Sequence, residues 1–165
     1  MSQSVALTVW QGAVEGGLRD LARDGMGFDE VVVVERTQLI PISMPGAFIP
    51  LIGPNESVQI GLVSTPDGCL RLAQALLQGD ATLELTPADM ADALGEAANI
   101  LAGFVKRNIQ EHVHPVQLGL PLYVNGHLET SDRVRAAVTH LTIGPVKAAL
   151  VILRAAEWKA IQKAA

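Results

Sequence analysis

Glu96 and Asn99, in the segment EAANILAGF, set a carboxylate and a carboxamide three residues apart among alanine, glycine and large apolar side chains. On a helix that spacing puts both groups on neighbouring turns of one face, where they can reach a single external object together. A carboxylate so placed can pair with a cation, and an amide can both donate to and accept from a water molecule. Projection at about 100° per residue gathers Met90, Leu94, Ala97, Leu101, Phe104 and Val105 on one side. Asp92, Glu96, Asn99, Gly103, Lys106 and Gln110 form a narrow polar stripe on the other. A solvated helix face is the ordinary explanation of such a stripe. Gly95 and Gly103 argue against it, because each costs about 1 kcal/mol relative to alanine in an exposed helix interior. Missing side chains beside a polar pair instead permit another surface to come close.

The elements that must position this face are readable from local chemistry. Thr86, Pro87 and Asp89 combine a cap, a proline at the first helical position and an early acid, so a long helix starts there. It is expected to run to about His112, because His114-Pro115 forbids continuation. Val5, Val9, Val14, Leu18 and Leu21 predict an amphipathic first helix stopped by Gly25 and Gly27, although Gly12, Gly16 and Gly17 weaken it. Thr65-Pro66 starts a short helix with Leu70, Leu72, Ala73, Leu76 and Leu77 on its apolar side, ending at Gly79. DEVVVVERTQLI, AFIPLI and VQIGLVS, separated by the turns PISMPG and GPNES, read as strands of an antiparallel meander. PVQLGLPLYV reads as one further strand, and RVRAAVTHLTIG and PVKAALVILRAA as two long strands joined at Gly144-Pro145. A tail from Glu157, with Trp158 and Ile161, is expected to add a short helix.

Composition bounds the function. The chain has 165 residues, 49% hydrophobic and 18% charged, the size and balance of one globular domain spanning residues 1–165. Aromatics are only 4%, so the core must come from Leu, Ile, Val and Ala, as in helices laid on a β-branched sheet. A formal charge of −5 without a Lys/Arg cluster argues against nucleic acid. The run AALVILRAA is too short to span a bilayer, and MSQSVALTVWQ lacks the positive flank of a secretory signal, so a cytoplasmic protein without membrane insertion is expected. Cys69 stands alone and reads as a buried small residue rather than a nucleophile. His112-x-His114 has no companions to complete a metal shell. No G-x-S-x-G elbow marks a serine hydrolase, and GAVEGG lacks the preceding strand of a nucleotide cradle. Trp10 and Trp158 read as packing anchors.

With those residues in view, the sequence resembles the CheX-like members of the CheC/CheX/FliY group of chemotaxis phosphatases. The motif that carries the likeness is Asp92-x-x-x-Glu96-x-x-Asn99-x-x-x-Gly103, followed downstream by Pro121 in LGLPLYVNG. PGAFIPLIG and VQIGLVST look like the family's paired strands, and the order of elements is similar from about residue 5 to residue 156. The resemblance implies an α/β sandwich of a mostly antiparallel sheet and two principal helices. It also implies hydrolysis of the phosphoaspartate of a CheY-like receiver domain. Asn99 then matches the amide that orients the attacking water, and Glu96 the acid that pairs with the receiver's lysine. Asp92, Gly103 and Lys106 fall to partner contact. Mg²⁺ is supplied by the receiver, and this chain needs no cofactor of its own. CheC-type relatives carry the acid and amide on two helices. Here Glu15 is followed three positions later by Leu18, so one site per chain and a CheX-like homodimer are expected. The rival reading is a non-catalytic receiver-binding or dimeric signalling module of the same fold. Retention of Glu96, Asn99 and the glycine behind them favours the enzyme.

Overall fold

The structure is a computed structural model that describes residues 5–40, 43–113 and 115–156. Helix α1 spans Leu7–Asp20 and continues as a wider π turn over Leu21–Gly25. Helix α2 covers Pro66–Leu76 and starts at Thr65, whose hydroxyl accepts from the Gly68 N–H at 3.0 Å. Helix α3 covers Pro87–Ile109, ending a turn before the expected His112. The chain turns at Ile109–Val113, so the proline at 115 follows the stop rather than imposing it. His114 lies outside the described residues, as does the helix expected from Glu157.

Among the described residues seven strands make one sheet: β1 (Val31–Thr37), β2 (Gly46–Ile52), β3 (Ser57–Ser64), β4 (Gln117–Leu118), β5 (Leu122–Val124), β6 (Val134–Ile143) and β7 (Val146–Ala155). Their order is β1-β6-β7-β3-β2-β4, with β5 also on β2, and every pairing is antiparallel. The mostly antiparallel sheet with helices is therefore as expected. Two hairpins, β2–β3 and β6–β7, pair neighbours in sequence, the second through a tight turn at Gly144, which adopts φ +54°.

Two expectations are corrected. β1 does not continue a meander into β2; it crosses the molecule to the far edge and pairs with β6. There Val31 and Val33 stand opposite Ile143 and Leu141, inward-facing residues of β6, and Arg36 reaches Glu15 on α1. The single strand expected over residues 115–124 is two short ones. Gly119 donates to the Pro50 carbonyl at 2.8 Å and lies so close that a Cβ there would stand 2.3 Å from Pro50 Cγ. Pro121 then has no N–H to offer, so the ladder breaks between β4 and β5.

The pleat divides the sheet into two faces. Ala47, Ile49, Ile60, Leu62, Leu141, Leu150 and Ile152 join all three helices in the main core, while Phe48, Val63, Val138, Ala149 and Val151 form a smaller cluster on the other face. Trp10 is wholly buried, its indole N–H donating to Glu56 Oε1 at 3.0 Å, and Arg154 meets the same oxygen at 2.8 Å. Gly17 explains one of the glycines that weakened α1 as a helix. A Cβ there would lie 3.2 to 3.3 Å from Val105, Leu101 and Phe104, so its absence lets α1 press against α3.

Glu15 is only 6% exposed, yet fully partnered. Arg36 grips both its oxygens at 2.9 Å, and the Thr139 hydroxyl donates to one at 2.8 Å. Burial pushes the carboxyl up, but the hydrogen bonds from Arg36 and Thr139 and the nearby guanidinium charges outweigh it and hold the group below its ordinary value. A depressed folded value means that this contribution is full above the unfolded value and is lost as pH falls through the folded one. Glu15→Gln is therefore expected to lower stability by roughly 1–2 kcal/mol at neutral pH. In thermal melts the gap to the unmodified protein should close on acidification through the carboxylate range; a gap that persists unchanged contradicts the linkage.

Candidate functional site

α3 is held at its start by a complete capping box. The Thr86 hydroxyl accepts from the Asp89 N–H, and an Asp89 carboxylate oxygen accepts from the Thr86 N–H, both at 3.1 Å. Pro87 presets the first helical φ. Leu94, Ala97, Leu101, Val105 and Ile109 then bury one stripe completely, with Ala93, Ala98 and Ala102 beside them small enough for close packing. Met90 and Phe104 from the expected apolar side are half-buried. The packing fixes the roll of the helix.

That roll points the polar stripe outward. Asp92, Glu96, Asn99, Gly103, Lys106 and Gln110 are all exposed. Among the described residues neither Glu96 nor Asn99 has a side-chain hydrogen bond or ion pair, so both are free to engage a partner. Asp92 stands one turn before Glu96 on the same face, and Lys106 one turn beyond Gly103. The stripe thus runs from acid near the helix N-terminus to base near the C-terminus, each sign placed favourably for the helix dipole. Arg107 beside it is committed elsewhere, stacked over Phe104 at 5.0 Å and 3.4 Å from Asp20.

The two glycines separate. A Cβ on Gly103 would meet nothing within 4 Å, so the surface beside Asn99 is open, as expected. Gly95 is a correction: it is buried and faces Pro121, with a Cβ there at 3.7 Å from the ring, so it belongs to the packing of α3 on the β4–β5 connection and does not open the polar face.

Among the described residues the other candidates do not assemble into a second site. Leu18 is wholly buried and Glu15 is consumed by Arg36 and Thr139. Cys69 is 1% exposed, and burial pushes its thiol up to about 11, which removes the thiolate a nucleophile needs. Among the described residues no three His, Cys, Asp or Glu side chains are grouped to hold a metal ion. No helix of the described residues is long and apolar enough to cross a membrane. Sequence reasoning missed an apolar trough beside Glu96, floored by Leu76, Leu77, Leu85 and Ile100. Sequence alone carries no signal for it: Leu76 and Leu77 read there as the apolar side of α2, but Leu76 is half-buried and Leu77 is 50% exposed.

A mostly antiparallel sheet carrying α1, α2 and an outward-facing α3 is the CheC-like fold. A CheC-like superfamily protein from Shewanella sp. PV-4 superimposes with a TM-score of 0.73 at 13% identity, covering 90% of this chain and 98% of that one. The chemotaxis protein CheX from Vibrio vulnificus gives 0.72 at 14% identity, covering 87% and 97%. CheX from Borrelia burgdorferi, in a complex with CheY, BeF₃ and Mg²⁺, gives 0.66 at 16% identity, covering 94% and 100%. No curated protein matches the sequence. Residues 45–143, more than half of the chain and including all of α3, match the family described as chemotaxis phosphatase CheX. The chain belongs to the CheX family.

If Gly103 is as open as the geometry places it, Gly103→Ala should raise stability by about 0.5–1 kcal/mol, because alanine restricts the unfolded chain and meets nothing in the folded one. Glu96→Ala and Asn99→Ala should stay within about 0.5 kcal/mol of the unmodified protein. Chemical denaturation measures all three, and a large loss in any would mean that the face is not free.

Proposed function

We propose that this chain accelerates hydrolysis of the phosphoaspartate of a CheY-like receiver domain, with Asn99 and Glu96 inserted from α3 into the receiver's reaction centre. The observation that carries this reading is the pair itself: exposed, without a partner among the described residues, one turn apart on a rigid capped helix, within the region that matches the CheX family. The complex of the Borrelia burgdorferi relative with CheY supports a receiver as partner.

The chemistry suits so small a constellation. An acyl phosphate is already activated, and phosphoryl transfer asks chiefly for an in-line nucleophile and stabilised charge. The Asn99 amide accepts a hydrogen bond from water with its oxygen and donates with its nitrogen, so it can hold the nucleophile in line without reacting. Glu96 pairs with the receiver's lysine, an ion pair strengthened as docking expels water. Mg²⁺ belongs to the receiver and supplies charge neutralisation at the phosphoryl group there. Asp92, Gly103 and Lys106 meet the receiver's surface around the pair, Gly103 by leaving room. Such a partner places the chain in the cytoplasm, and the same reading includes a homodimer with one site per subunit.

Phosphate release from a panel of phosphorylated receivers of the same cell tests the reading. Asn99→Ala should reduce the acceleration by at least about 100-fold. Glu96→Ala should act mainly at limiting receiver. Replacing Gly103 by Trp should weaken association with the fold intact. An Asn99→Ala protein as active as the original overturns the mechanism; a normal protein inactive on every receiver favours the binding module.

A further inference from the structure

Where the π turn after α1, the end of α2 and the first half of α3 meet, the surface opens into a groove of about 580 Å³ directly beside Glu96. Its floor is apolar, made by Leu76, Leu77, Leu85 and Ile100, and Leu77 is left 50% exposed at the end of its helix. Carboxylates alone supply charge at its rim. Asp24 is neutralised by Arg23 at 2.8 Å and Asp89 is engaged in the cap of α3, whereas Asp92 and Glu96 have no partner among the described residues. Among the described residues no lysine or arginine lines the groove.

We propose that this groove seats an amphipathic helix of the same receiver domain, one that sets an apolar ridge on Leu77 and Ile100 and a basic side chain against Asp92, next to the reaction centre whose lysine Glu96 takes. The proposal rests on the phosphatase reading and adds the second half of the docking surface. Three features select this occupant. The trough is continuous with Glu96, so whatever delivers a lysine to Glu96 also covers Leu77. An open apolar floor between helix ends is the geometry that accepts side chains spaced at i, i+3 and i+4 from a guest helix. Unneutralised acids along one side demand a cationic guest, which disfavours anionic metabolites and a second copy of a chain whose own net charge is −5. With Glu96 gripping charge and Leu77 burying apolar surface on either side of one edge, the guest is fixed in both position and rotation. Asn99, one turn further along α3, is thereby aimed.

The test compares Leu77→Arg and Asp92→Lys with the unmodified protein, using receiver domains activated by beryllofluoride and Mg²⁺ as the probe. Both positions are exposed, so melting temperatures should shift by no more than about 2–4 °C; Asp92→Lys repeats the test without touching the floor. Leu77→Arg is expected to weaken binding by about tenfold or more. Asp92→Lys should weaken it and flatten its dependence on ionic strength. Unchanged affinity for both variants, with Asn99→Ala still failing to release phosphate, overturns the groove and leaves the phosphatase reading standing. A Leu77→Arg protein that loses self-association but keeps receiver affinity assigns the trough to a second copy, which also overturns the proposal. Full phosphate release by Asn99→Ala overturns the reading and the groove with it.

Discussion

The roll of α3 about its own axis is the constraint on which the site depends. The helix is amphipathic along its whole length, and a rotation of half a residue's turn, about 50°, would carry Glu96 toward the sheet. What prevents it is the shape of the buried stripe. Leu94, Leu101, Val105 and Ile109 fill space against the sheet and α1, while alanines at 93, 97, 98 and 102 leave none to spare. Gly17 on α1 closes the remaining gap from the other side. Since interiors pack at crystal-like density, such a helix has one seating rather than a range. The Thr86–Asp89 box fixes where its first turn begins, so the outward line from Asp92 to Gln110 is set at both its start and its rotation.

This division also tells why part of the molecule was legible in the sequence and part was not. Caps, prolines and helical periodicity act within a few residues, and they located α2, α3 and the polar stripe directly. Strand order is a contest among distant segments, and nothing within VVVVERT announces that its neighbour is β6, more than a hundred residues onward. The partner of Arg36 lies on α1, and that of Glu15 in part on β6, so the link that holds the edge strand could not be read from either segment alone. The β4–β5 break needed Pro50 opposite Gly119, a contact between segments that look like ordinary strands in isolation. Gly95 is a case of the same kind: its adjacency to the stripe is local, and the packing of Pro121 against it is not.

In the proposed reading, the economy of the site follows from its leaving most of the chemistry to the partner. A group that works by insertion has to be solvated and unengaged beforehand, because any internal hydrogen bond would have to be broken on docking. Glu96 and Asn99 satisfy this condition among the described residues. Their contribution grows when water is expelled, since charge pairing and hydrogen bonding strengthen as the local dielectric falls. Precision therefore has to come from the helix that carries them and from the surface around them. A rigid element with an open glycine beside the amide and an apolar trough beside the acid provides both.

Glu15 makes the contrast that separates residue type from role. Like Glu96, it is a carboxylate on a long helix packed against the same sheet, and α1 and α3 lie against each other. Yet Glu15 turns inward, where Arg36 binds both its oxygens and Thr139 one of them, and the position three residues on is Leu18, wholly buried in the core. An acid in that state could not turn to an outside lysine without giving up both hydrogen bonds from Arg36 and the one from Thr139. On α3 the position three residues beyond the acid is Asn99, exposed and without a side-chain partner among the described residues. Two helices of one fold thus set the same side chain to opposite ends: on α1 it binds the sheet's edge to the helix layer, and on α3, in the proposed reading, it keeps a charge available for another molecule.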